Sequence, residues 1–167
     1  ASRHMSRLLV LFAALVPCLV QAEAPEPSLC APSEHVSFSC ELENRKVVSL
    51  CSSAEFSETT GYLQYRYGRP DHVELEHPRS RSGTQRHFEL EAHRPYGIEY
   101  ESVNFSVGMF SYSVVRVVSS ESDVPSWAGV TVTDLRDSER PRETTFKCRR
   151  SPLPAMANLG GVSRAKE

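Results

Sequence analysis

The stretch "YESVNFSVGMFSYSVVRVV", Tyr100–Val118, constrains the fold more than any other part of the chain. Val103, Phe105 and Val107 alternate with Ser102, Asn104 and Ser106. After Gly108 the alternation resumes at Phe110, Tyr112 and Val114. A period of two puts successive side chains on opposite faces of a strand, and glycine between two such runs supplies a turn. The stretch therefore predicts a β-hairpin with one apolar face. A lone hairpin cannot bury that face and needs further strands. Short alternating runs parted by turn residues supply them: His35–Leu42, Lys46–Cys51, Tyr62–Tyr67, His72–His77, Arg86–Ala92, Glu99–Ser106, Met109–Val118, Trp127–Asp134 and Glu143–Cys148. No segment carries a helical period. The expected fold is a single all-β domain, an antiparallel sandwich or small barrel of about eight to nine short strands.

The start of the chain bears on compartment. Residues 1–4, before Met5, read as a remnant of cloning. Arg7, an apolar run from Leu8 to Val20 and small residues at Val20 and Ala22 follow in the order of a secretory signal peptide, over residues 5–22. The run falls short of the roughly 20 apolar residues of a membrane span. Cys18 follows Pro17, where a lipoprotein cleavage motif wants a small residue. The expectation is export to the periplasm, with no stable membrane insertion after leader cleavage. From Glu23 onward, 17 basic residues face 21 acidic ones, a formal charge of −4, once Arg3 and Arg7 are set aside from the 19. A nucleic-acid binder is expected to be basic, so nucleic acid is not an expected partner. Residues 23–34 read as a Pro-rich lead-in, poorly ordered until Cys30 pins it; residues 35–148 as the β-domain; residues 149–167 as a C-terminal tail beyond the fold.

Four cysteines remain: Cys30, Cys40, Cys51 and Cys148. An even number in an exported chain reads as two disulfides, and the absence of close Cys pairs argues against zinc. "HVSFSCELENRKVVSLC" reads as two strands around a turn near Asn44–Arg45. A register shift of a residue or two brings Cys40 opposite Cys51, leaving Cys30 for Cys148.

The sequence holds no nucleophile elbow, zincin helix, P-loop or dinucleotide fingerprint. His72 and His77 fall on opposite faces of "HVELEH", so they cannot share a metal within that strand. His87 and His93 differ in parity too, and the histidines read as solvent-facing. Glu74 with Glu76, and Glu89 with Glu91, share faces at i, i+2 as a glycosidase pair would, and a solvated strand face explains them equally. Abundant serines and Asp71–His72 leave a Ser/His/Asp site open, since such a triad is recognised by geometry. Asn104-Phe105-Ser106 matches the glycosylation pattern inside a predicted strand. No cofactor or metal is expected. Arg79, Arg81, Arg86 and Arg94 surround the loop "HPRSRSGTQRHF", the most basic local stretch. With Arg69, after "LQYRYG", and the single tryptophan, Trp127, they form the candidate partner-binding set. Leu63, Tyr65 and Tyr67 should face the core, and Arg66 should face solvent opposite Glu74 or Glu76.

Two segments, "FSCELENRKVVSLCSS" with "LQYRYGRPDHVELEHP", and "YGIEYESVNFSVGMFSYSVV", resemble a family of small exported β-proteins of Gram-negative bacteria. The resemblance spans Phe38 to Val118, and it implies pairing of Cys40 with Cys51. Such proteins are similar in kind to periplasmic immunity proteins against type VI secretion toxins and to periplasmic lysozyme inhibitors. This implies a non-enzymatic inhibitor whose partner is a protein toxin or hydrolase. Binding residues concentrate on loops held by a rigid scaffold, which points to Pro78–Arg86 and Ser119–Ser126 for recognition. A hydrolase with an unrecognised site and a lipocalin-type ligand barrel are the competing expectations.

Overall fold

The computed structural model describes residues 26–150 and 153–165. The remnant and leader expected over residues 1–22 lie outside the described residues. Among the described residues ten strands occur: β1 (His35–Glu41), β2 (Val47–Ser52), β3 (Leu63–Arg69), β4 (His72–His77), β5 (Glu89–His93), β6 (Ile98–Val107), β7 (Phe110–Ser119), β8 (Trp127–Asp134), β9 (Arg142–Lys147) and the short β10 (Ser163–Arg164). They form a four-stranded sheet, β1-β2-β3-β4, and a six-stranded sheet, β10-β5-β6-β7-β8-β9. The architecture is an open sandwich, not a closed barrel. A 3₁₀ turn, Thr84–His87, occupies the start of the stretch expected as the fifth strand, which begins instead at Glu89.

The alternation that predicted the hairpin also builds the core. Val103 pairs with Val114 and Phe105 with Tyr112, and Val114 continues to Val130 and Phe146 across β8 and β9. These inward residues meet Phe38, Leu50, Leu63 and Tyr65 of the small sheet. Tyr65 lies 4.7 Å from Phe105 between ring centroids, so the two sheets join through aromatic contact.

Every residue of β2 is buried, a pattern no one-sided strand shows. The lead-in explains it by crossing the outer face of the small sheet. Leu29 N donates to Ser49 Oγ at 3.0 Å, and Ser39 Oγ donates to the Pro27 carbonyl at 2.7 Å. The alternating serines of β1 and β2 therefore satisfy a covered polar layer. Residues 26–34 of the lead-in are an integral layer and not the loosely held segment expected.

The disulfides differ from both the geometric expectation and the pairing implied by resemblance. Cys30 bonds Cys51, and Cys40 bonds Cys148, with Cα separations of 5.3 and 5.7 Å. The turn decides this. Leu42 N donates to the Lys46 carbonyl, and Arg45 takes a left-handed φ of 67°, which makes a three-residue loop of Glu43–Arg45. That loop sets Cys40 opposite Val48, three residues short of Cys51. An odd offset puts the two cysteines on opposite faces. Cys40 points into the core toward Cys148, and Cys51 points outward to the lead-in.

Residues 153–165 are not a tail beyond the fold. Leu159 and Val162 are buried in the core, Ala157 N donates to the Ser37 carbonyl at 3.0 Å, and β10 pairs in parallel with β5. The stretch lacks an apolar period because it docks through isolated residues and not through a regular face.

Candidate functional site

Arg66 is the most heavily engaged charge among the described residues. It was expected to face solvent, yet it is only 5% exposed because the lead-in covers it. Its guanidinium donates to both Glu34 carboxylate oxygens at 2.6 and 2.9 Å, to Glu76 Oε2 at 2.8 Å, to Gln64 Oε1 at 2.8 Å and to the Leu29 carbonyl at 3.1 Å. The expected Arg66–Glu76 pairing is thus present, inside a larger network. Burial pushes the Glu34 carboxyl upward. Donation from Arg66, the Ala31 N–H and the Tyr62 hydroxyl outweighs it, so the net value falls from 4.5 to about 2. Glu34 lies near Cys30 and Cys51, but both sulfurs are committed to a disulfide, so this cluster offers no thiolate to a metal. The network anchors the lead-in and is structural.

His77 also departs from expectation. Its ring stacks on Phe105 at 5.1 Å and meets His87 edge-on at 5.4 Å. Its Nε2 is buried without a partner among the described residues. Burial, then the neighbouring His87, lowers its pKa below the usual histidine value, so it sits as a neutral aromatic plug between the sheets.

The most prominent exposed group is Tyr96, 95% exposed at the tip of the β5–β6 hairpin. Tyr96 and Gly97 have φ of 44° and 82°, and Ile98 N donates to the Pro95 carbonyl at 3.0 Å. Positive φ at both central residues is a type I′ turn, which favours Asn, Asp or Gly at the position Tyr96 holds. A strained aromatic with no packing role is the kind of outlier that points to function. The tip is braced from the side. Ser120 donates to the Gly97 carbonyl through both N and Oγ, at 3.0 and 3.1 Å. A side chain at Gly97 would run into that hydroxyl. The expected recognition loop Ser119–Ser126 therefore abuts the Tyr96 tip.

The predicted arginines do not converge. Arg94, 77% exposed, flanks Tyr96 and reaches Glu99 at 3.3 Å. Arg81 turns inward to Gln64 and Glu34 and covers the Tyr62 ring at 4.7 Å. Arg79 and Arg86 are exposed on the β4–β5 connection, and Arg69 at the β3–β4 turn. Trp127 stands half-buried on the outer face of the large sheet opposite Val117, with Lys147 Nζ 5.8 Å from its ring centre.

A cleft of about 500 Å³ opens between the sheets, walled by Tyr65, Tyr67, Phe110, Tyr112, Val132 and Phe146. Neither Tyr96 nor this cleft stood out in the sequence. The hairpin signal at Tyr96-Gly97 was available, but only its φ exposes the mismatch, and the cleft arises where β4 and β9 both end their sheets. Compared with family models, curated proteins and solved structures, the chain matches none.

Proposed function

We propose that the protein is a periplasmic inhibitor of the immunity type, which binds a type VI secreted antibacterial toxin, a lipase or cell-wall hydrolase, and blocks it by steric contact. The observation that carries this reading is the Tyr96 tip, an exposed aromatic on a braced turn beside Arg94 and the Ser119–Ser126 loop. Tyrosine and arginine are favoured anchors in protein interfaces, because a large side chain of limited flexibility buries area at small entropic cost. Two disulfides suit an oxidising exported environment, and no helix among the described residues is long and apolar enough to cross a membrane. A stable block buries at least about 1,000 Å² in total, more than the tip supplies, so the loop and Arg94 join the contact.

The test is capture of partners from the periplasmic fraction on the immobilised protein, followed by co-expression with the captured protein. The expected result is one stoichiometric partner that is toxic in the periplasm, with rescue by the wild type. Tyr96→Ala should weaken the complex ten-fold or more. Absence of a stoichiometric toxic partner, or of rescue, overturns the reading.

A further inference from the structure

The geometry points to a second binding site: the cleft beside β9 takes an extended peptide segment of a partner protein, added as a strand to the β9 edge, with an apolar side chain in the cleft and a carboxylate on Arg142. This rests on the reading of the molecule as a binder of proteins. Three observations converge. The cleft is aromatic and apolar along its walls, with charge at its mouth from Glu74, Asp134 and Arg142. Two of these charges are already matched. Lys46 holds Glu74 at 2.6 Å, and Arg136 holds Asp134 at 2.6 Å. Arg142 pairs in register with Asp134 and helps to lower its carboxyl at longer range, after the hydrogen bonds from Arg136, but it has no carboxylate within 4 Å among the described residues. With Lys46 on Glu74 and Arg136 on Asp134, Arg142 leaves the mouth with an excess positive charge, which calls for an acid.

The backbone supplies the rest. β9 is the last strand of its sheet. Cys148 N donates inward to the Ala128 carbonyl, whereas the Lys147 carbonyl points outward and accepts from Glu43 N at 2.9 Å. Alternation along an antiparallel strand then turns the N–H and C=O of Glu143 and Thr145 outward as well. Lys147 already shows that this edge takes a passing chain. The four outward groups of Glu143 and Thr145 have no partner among the described residues. A segment docked there continues the ladder, and its alternate side chains fall on the face carrying Arg142, Thr144 and Phe146. Exposed Met109 and Leu135, 55% and 38% exposed and joined by a Leu135 N to Met109 carbonyl bond of 2.9 Å, belong to turns next to Phe110 and Asp134 and extend the apolar area beyond the cleft.

The experiment pans a random dodecapeptide phage library on the oxidised protein, then measures the selected peptide by fluorescence anisotropy and hydrogen exchange. The expected result is enrichment of peptides that place Asp or Glu near an aliphatic or aromatic residue. Arg142→Glu should weaken binding ten-fold or more, and Val132→Trp, which fills the cleft, should abolish it. The Glu143 and Thr145 amides should exchange more slowly with peptide bound. Arg142→Glu changes an exposed side chain and remains informative if Val132→Trp fails to fold. Lack of enrichment, unchanged affinity in Arg142→Glu, or unchanged exchange at those amides overturns the inference. Toxin rescue separates the two readings. Peptide binding with these signatures but no toxic partner sinks the inhibitor reading alone. Full rescue with no peptide enrichment sinks this one alone.

Discussion

Tyr96 and Glu34 show two opposite ways in which a residue can be held against its own preference. Tyr96 occupies a left-handed position that Asn tolerates far better, at a cost of about 1 kcal/mol. Tyr96→Asn should therefore raise the urea midpoint of unfolding while it weakens the partner complex. A fall in both is the outcome that removes the functional argument. Glu34 is a carboxylate buried against Arg66, with Arg81 3.4 Å away, and its low folded pKa ties stability to pH. A depressed carboxyl stabilises the fold fully above its unfolded value of 4.5, and that contribution disappears as pH falls toward about 2. The difference corresponds to about 3 kcal/mol. Glu34→Gln should abolish most of this acid dependence in the pH 4.5 to 2 window. At pH 7 it should cost about 3 kcal/mol or more, because Arg66 is left buried with only Glu76 opposite. Equilibrium unfolding as a function of pH measures both effects.

At the scale of elements, alternation along the chain made the strands legible, since period two is a local property. His72–His77 and Trp127–Asp134 were readable to the residue. Pairing across strands was not. A single left-handed residue, Arg45, fixes the β1–β2 register and so decides which cysteines meet, and nothing in the spacing of Cys40 and Cys51 reveals it. The candidate surfaces were illegible for the same reason: Tyr96 and the Ser119–Ser126 loop are brought together by β6–β7 pairing, and the cleft by two sheet edges. The connectivity makes a prediction of its own. Proteolysis and mass mapping of the oxidised protein should yield Cys30–Cys51 and Cys40–Cys148 peptides and none joining Cys40 to Cys51. In the chain-entropy account, loops of 21 and 108 residues stabilise by about 3 and about 5 kcal/mol. The Cys40→Ser, Cys148→Ser pair should accordingly unfold at lower urea than the Cys30→Ser, Cys51→Ser pair.

The described residues form a two-sheet sandwich clasped by the lead-in over the small sheet and by residues 153–165 against the core. Leu159 and Val162 together bury side chains worth about 3 to 5 kcal/mol. Truncation after Arg150 should lower stability by that order, with loss of the protection that β10 gives the β5 edge, as read by urea unfolding and hydrogen exchange. The clasp also has a temporal meaning. Cys40 waits for Cys148, Ser37 for Ala157, and β5 for a strand near residue 164, so a chain delivered from its amino end cannot lock into the native state until nearly all of it has arrived. Such a sequence order makes closure of the native fold a late event in the life of the chain.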